Sequence, residues 1–192
     1  MRAMLKALVF AWLLAWLAPW AALERMARRW RGHDVWFGTH AEILSMIPGG
    51  LGICSRAAYY HMTLAACPLD AAFHFGSLCT HSGTEIGHRV YIGAHTMLGW
   101  ASIGSDTRLA DNVQLLSGAH HHALPGQPTR RTRVTIGEHC WIGAHAVVMA
   151  SVGDHAVVGA GSVVTRPVAG GVTAAGNPAR VLVTKDRLES TH

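Results

Sequence analysis

The sequence predicts an all-β solenoid, preceded by a hydrophobic helix and a short helical segment. Three observations point there. From Phe73 onward an apolar residue returns about every six positions: Phe73, Cys79, Ile86, Ile92, Leu98, Ile103, Leu109 and Leu115, then Ile136, Ile142, Val148, Val152, Val158 and Val164. The 21 glycines among 192 residues exceed ordinary usage, yet they fall in phase with these apolar residues rather than in a run, which marks a structural repeat and not a flexible linker. One polar stretch, LLSGAHHHALPGQPTRRTRVTIG, interrupts the rhythm with three histidines, two prolines and three arginines.

The first element is residues 1–31. ALVFAWLLAWLAPWAAL, from Ala7 to Leu23, carries no charge, with Arg2 and Lys6 before it and Arg25, Arg28, Arg29 and Arg31 after it. Its length is the short end of a membrane span. No small-x-small cleavage site follows the apolar core, so the segment reads as a helix that contacts membrane rather than a removed leader. Trp12, Trp16 and Trp20 share one helix face, and indoles favour the water–lipid boundary. The heavier basic cluster at 25–31 places the body on the cytoplasmic side. The alternative is a hydrophobic helix packed on the protein's own body or on another subunit.

Residues 32–72 read as a loop plus a short helix from about Arg56 to Ala66 that covers the end of the repeat. Residues 73–168 form the repeat itself. A period of six matches neither a helix nor a simple strand. It suits a coil in which each hexapeptide makes one short parallel strand and one turn, three hexapeptides closing a triangle of about 18 residues. The apolar residue points into the prism. The position four further on is small or β-branched at Val90, Thr96, Thr107, Val113, Ala146, Ala156 and Ser162. A loop at 117–133 breaks the repeat, and 169–192 form a carboxy-terminal tail.

Composition narrows the function. Net charge is +5, with the basic excess in the first 31 residues and in Arg130, Arg131 and Arg133. That pattern suits an anionic membrane face or a phosphorylated ligand rather than nucleic acid. Cys54, Cys67, Cys79 and Cys140 include no CxxC pair, and they read as reduced core residues of a cytosolic protein rather than a zinc site or a disulfide framework.

The stretch IGEHCWIGAHAVVMASVGDHAVVGAGSVVTRPVAGGVTAAGNPARVL resembles the carboxy-terminal half of hexapeptide-repeat acyltransferases, particularly the galactoside, maltose and xenobiotic acetyltransferases and those of exopolysaccharide gene clusters. The likeness covers about residues 73–185. It implies a left-handed parallel β-helix, an exception to right-handed crossovers, and a homotrimer with active sites between subunits. It further implies a catalytic histidine at the start of the long loop, which register places at His120. There imidazole accepts the proton of a sugar hydroxyl or amine as it attacks a thioester. A slip of register brings in His121 or His122, which otherwise read as substrate contacts or exposed loop. His81 matches a polar position that binds acceptor in the sugar acetyltransferases. The donor implied is acetyl-CoA, with contacts at Ala144, Ala160, Thr165, Arg166 and Arg180, the two arginines meeting phosphates.

Two departures from the family pattern stand out. VVMASVGDHAVV is two residues shorter than the common form, so one corner should tighten. The hydrophobic amino-terminal segment is foreign to the sugar acetyltransferases and points to a glycan precursor made at the membrane as acceptor. Two other readings stay open: a metal enzyme resembling the γ-class carbonic anhydrases through His81, His88, His95 and the 120–122 cluster, and a non-catalytic scaffold.

Overall fold

The computed structural model describes residues 2–31, 35–117 and 132–182. Three helices come first: α1 Arg2–Arg31, α2 Val35–Ser45 and α3 Gly49–Thr63. The short helix expected from Arg56 is therefore longer, starting at Gly49, and a second helix precedes it. The glycines of GGLG argue for a loop by propensity, but one of them is there for packing. A Cβ on Gly52 would lie 1.9 Å from the Ile47 carbonyl oxygen.

Fifteen short strands follow. In chain order they are β1 Ala72–Phe73, β2 Leu78–Cys79, β3 Glu85–Ile86, β4 Tyr91–Ile92, β5 Met97–Leu98, β6 Ala101–Ile103, β7 Arg108–Leu109, β8 Gln114–Leu115, β9 Val134–Ile136, β10 Trp141–Ile142, β11 Val147–Val148, β12 Val157–Val158, β13 Val163–Val164, β14 Thr173–Ala175 and β15 Arg180–Val181. The first fourteen sort into three parallel faces. Face 1 stacks β1, β4, β7, β10, β12 and β14; face 2 stacks β2, β5, β8, β11 and β13; face 3 stacks β3, β6 and β9. Beyond β9, face 3 continues only as single bridges, Ile136 to Val152 and Val152 to Val168. The chain visits the faces in strict rotation, so it winds as a three-sided coil.

The six-residue period is the cause. Every residue of the apolar series from Phe73 to Val164 is at most 2% exposed. The small or β-branched positions Val90, Thr96, Thr107, Val113, Ala146, Ala156 and Ser162 are buried beside them. Stacking coils removes a continuous apolar column from water, about 1.5–3 kcal/mol per large aliphatic residue, so the repeats stabilise one another.

Both ends of the stack need cover, because an open sheet edge leaves backbone groups unpaired. At the first coil, α3 supplies side chains for this. Arg56 is fully buried and its Nε donates to the Phe73 carbonyl, while Nη1 donates to Leu44 and Ile47 at the end of α2. The Tyr60 hydroxyl accepts from the Cys79 N–H at 3.0 Å. At the last coil the tail folds over β13, with Val163 N–H donating to Gly176 and Ala179 N–H donating back to Val163. β15 then runs antiparallel along β14.

α1 is held against α3. Phe10, Leu13, Leu17, Ala21 and Glu24 form its buried line, and the Glu24 carboxylate accepts from the Tyr59 hydroxyl at 2.6 Å. Packing on the protein's own body therefore accounts for one face of this helix.

Candidate active site

The three corners of the prism are not alike. Between faces 1 and 2, and between faces 3 and 1, each turn takes four residues in every coil. Between faces 2 and 3 the connections are residues 80–84, 99–100, 116–133, 149–151 and 165–167. All variation in repeat length, including the long loop, falls on this one corner. The shortened stretch VVMASVGDHAVV lies here too, and face 3 narrows to a single bridge at Val152 as a result.

Side chains from successive coils meet along this corner. The His81 ring stacks on Trp100 with centroids 5.3 Å apart and planes 25° from parallel. Gly83 ties the two together: its N–H donates to His81 Nδ1 at 3.0 Å, and its carbonyl accepts from Trp100 Nε1 at 3.1 Å. The Trp100 N–H in turn donates to the Ser117 hydroxyl at 2.8 Å. His81, Trp100 and Ser117 thus form a ladder that ends where the loop begins. Trp100 was not singled out in the sequence. The signal that could have found it is the five-residue step from Leu98 to Ile103, which puts GW at a shortened corner.

The loop histidines His120, His121 and His122, with Arg130 and Arg131, lie outside the described residues. Arg133 is described, and it forms an ion pair with Glu85 on face 3. Its charge is therefore paired within the protein. The same contact holds the Glu85 carboxyl below the usual carboxylate range.

The positions carried over for the donor fall on both sides of β13. Ala144 and Ala160 sit on the corner between faces 1 and 2 in adjacent coils, where Gly161 N–H donates to the Ala144 carbonyl at 2.8 Å. Thr165 and Arg166 are exposed on the variable corner, and Arg180 is exposed in β15. Ala160 and Thr165 are separated by the rest of the turn, Gly161 and Ser162, and by the two residues of β13.

Nucleophilic and metal chemistry find less support here. Burial pushes the Cys67 thiol up to about 12 and raises Cys79 and Cys140 as well, so these sulfurs stay protonated and unreactive at neutral pH. His81, His88 and His95 occupy three different corners of the prism. Among the described residues no three His, Cys, Asp or Glu side chains converge as metal ligands. The outward histidines His95, His139, His145 and His155 are exposed turn residues with positive φ.

Comparison with known proteins agrees with this architecture. Residues 133–166 match the hexapeptide repeat of succinyl-transferase. A Dictyostelium discoideum protein named as an acetyltransferase is 46% identical over 90 residues, covering 42% of this chain and 45% of its own. Galactoside O-acetyltransferase of Escherichia coli is 40% identical over 86 residues, covering 42% of each. The chain thus spans under half the length of these curated relatives. Among solved structures, a maltose O-acetyltransferase from Clostridium difficile superposes with TM-score 0.68 at 22% identity, covering 76% of this chain and 83% of that one. An N-acyltransferase from Bacillus cereus, solved with coenzyme A, gives TM-score 0.52 at 18% identity over 62% of this chain and 74% of that one.

Proposed function

Because this chain resembles the hexapeptide-repeat acyltransferases in sequence and in fold, we propose that it transfers an acetyl group from acetyl-CoA to a hydroxyl or amine of a sugar or glycan precursor. The working form in this reading is a left-handed parallel β-helix assembled as a homotrimer, acting at the cytoplasmic face of a membrane.

One observation carries the reading. The ladder of His81, Trp100 and Ser117 runs along the variable corner to the point where the loop departs. His120 is three residues beyond Ser117, and three residues of chain reach at most about 11 Å. In this reading the ring pair takes a sugar's apolar face and His120 the proton of its hydroxyl. The likeness to galactoside and maltose acetyltransferases supports the same acceptor class.

The chemistry assigned to the chain is limited. His120 takes the proton of the attacking hydroxyl as its oxygen bonds to the thioester carbonyl carbon; the carbon–sulfur bond then breaks and the leaving sulfur takes a proton. Such general-base help is worth about 10²- to 10⁴-fold. The buried thiols favour direct attack with both substrates bound. His81 orients the acceptor, with His122 as a second contact from the loop. Ala144, Ala160 and Thr165 line the donor's path, and Arg166 and Arg180 provide charge for its phosphates. Arg166 forms no hydrogen bond or ion pair with another described residue, so its charge is available for that role.

The test pairs calorimetric titration of acetyl-CoA with a thiol-release assay over a panel of sugars. Parent and His120→Ala proteins are expected to bind donor alike, with turnover of the variant down about 10²- to 10⁴-fold. No donor binding by folded protein, or full turnover by His120→Ala, overturns the reading.

A further inference from the structure

Helix α1 is apolar on two faces, and the protein covers only one. Residues Ala7–Ala27 have mean hydropathy 1.6 and are long enough to cross a bilayer. Phe10, Leu13, Leu17 and Ala21 pack on the body, whereas Met4 (72% exposed), Leu8, Trp12 (60%), Trp16, Leu23 and Met26 face outward. The Trp12 and Trp16 rings lie parallel, 6.1 Å apart. Exposed apolar rows of this extent mark an interaction surface.

We propose that α1 lies in the plane of an anionic bilayer surface, with its Met4–Leu8–Trp12–Trp16–Leu23–Met26 face in the outer acyl region, and does not cross the membrane. Crossing is opposed by the buried line. A spanning α1 would have to leave α3 or draw it into lipid, yet α3 carries the buried Arg56 and is bonded to the first coil through Phe73 and Cys79. The Glu24–Tyr59 hydrogen bond closes the same interface near the carboxy-terminal end of α1. Lying flat satisfies both faces, since the body covers one and lipid the other.

Charge selects lipid over a second copy. The helix has Arg2 and Lys6 at one end and Arg25, Arg28, Arg29 and Arg31 at the other. Parallel or antiparallel self-pairing therefore sets like charges side by side, whereas anionic headgroups neutralise both ends. The only acidic residue of the helix, Glu24, is turned inward. This inference does not depend on the acyl-transfer reading, and its test uses no turnover.

The full chain is floated with phosphatidylcholine vesicles, with and without phosphatidylglycerol. Binding is expected only with the anionic lipid and should weaken with salt, about fivefold for each exposed arginine removed at Arg25 or Arg29. Trp12→Ala with Trp16→Ala should lower binding at least about tenfold at unchanged Tm, because both indoles are exposed. Lipids brominated at shallow or deep acyl positions then report depth, read as the fluorescence lost in Trp12→Phe/Trp16→Phe. Shallow labels should quench most. Strongest quenching by deep labels means a spanning helix and overturns the proposal. Absence of vesicle binding does the same, as does a larger oligomer in solution that the double alanine variant abolishes.

Discussion

Replacing Gly83 by alanine adds one methyl group between His81 and Trp100 and tests whether that pair is the acceptor wall. The new Cβ would lie 2.9 Å from His81 Cε1, 3.0 Å from His81 Nδ1 and 3.3 Å from Trp100 Nε1. Ordinary contact begins near 3.4 Å, so the imidazole must withdraw by about half an ångström. That lengthens its 3.0 Å bond from the Gly83 N–H toward the limit of a useful hydrogen bond. A misplacement of about 1 Å in a catalytic arrangement costs on the order of 10²-fold, so half of that predicts about a tenfold rise in acceptor KM. Donor KM should stay within about twofold, because Ala160, Thr165 and Arg166 lie coils away. The stability loss should be below about 1 kcal/mol, since the pair is only half-buried. The assay is thiol release with each substrate varied in turn, using the best acceptor from the sugar panel. An unchanged acceptor KM, or equal losses for both substrates, would refute the assignment of His81 and Trp100 to the acceptor.

Two further predictions concern the core. Tyr60→Phe removes the hydroxyl that, among the described residues, pairs the buried Cys79 N–H; leaving that donor bare should cost about 2 kcal/mol and lower Tm by about 4–8 °C at fixed protein concentration, and a Tm within a degree of the parent would contradict the capping role. The Cys67 thiol is held up to about 12 by burial, above its usual value near 9. A raised folded pKa gives stability that is complete below about pH 9 and lost as pH rises toward 12. The urea midpoint should therefore fall through that window, and less steeply in Cys67→Ala; identical slopes would show that this thiol does not titrate on unfolding.

Much of the fold is legible along the chain because a solenoid repeats a local rule. The step of about six residues tells which side chains point inward, and every member of the series from Phe73 to Val164 is buried. The outward histidines at 95, 139, 145 and 155 could be read as turn residues for the same reason. The helical cap is less legible. Arg56 looks like a surface residue by type, and GGLG looks like a loop, since nothing local reveals that one serves buried carbonyls and the other a close backbone approach. The pairing of Arg133 with Glu85 was likewise hidden, because the two are 48 residues apart in sequence and adjacent only after coiling.

By itself, then, the sequence determined the period, the inward column, the break in the repeat and the apolar helix with basic ends. Each of these depends on residues close in the chain. Only the tertiary structure decided that every length change falls on one corner, that His81 meets Trp100 there, and that α1 keeps one apolar face covered and the other open. Such meetings depend on how many residues each coil spends before it returns. A change of one or two residues per turn is minor locally, but it accumulates into which outward side chains become neighbours.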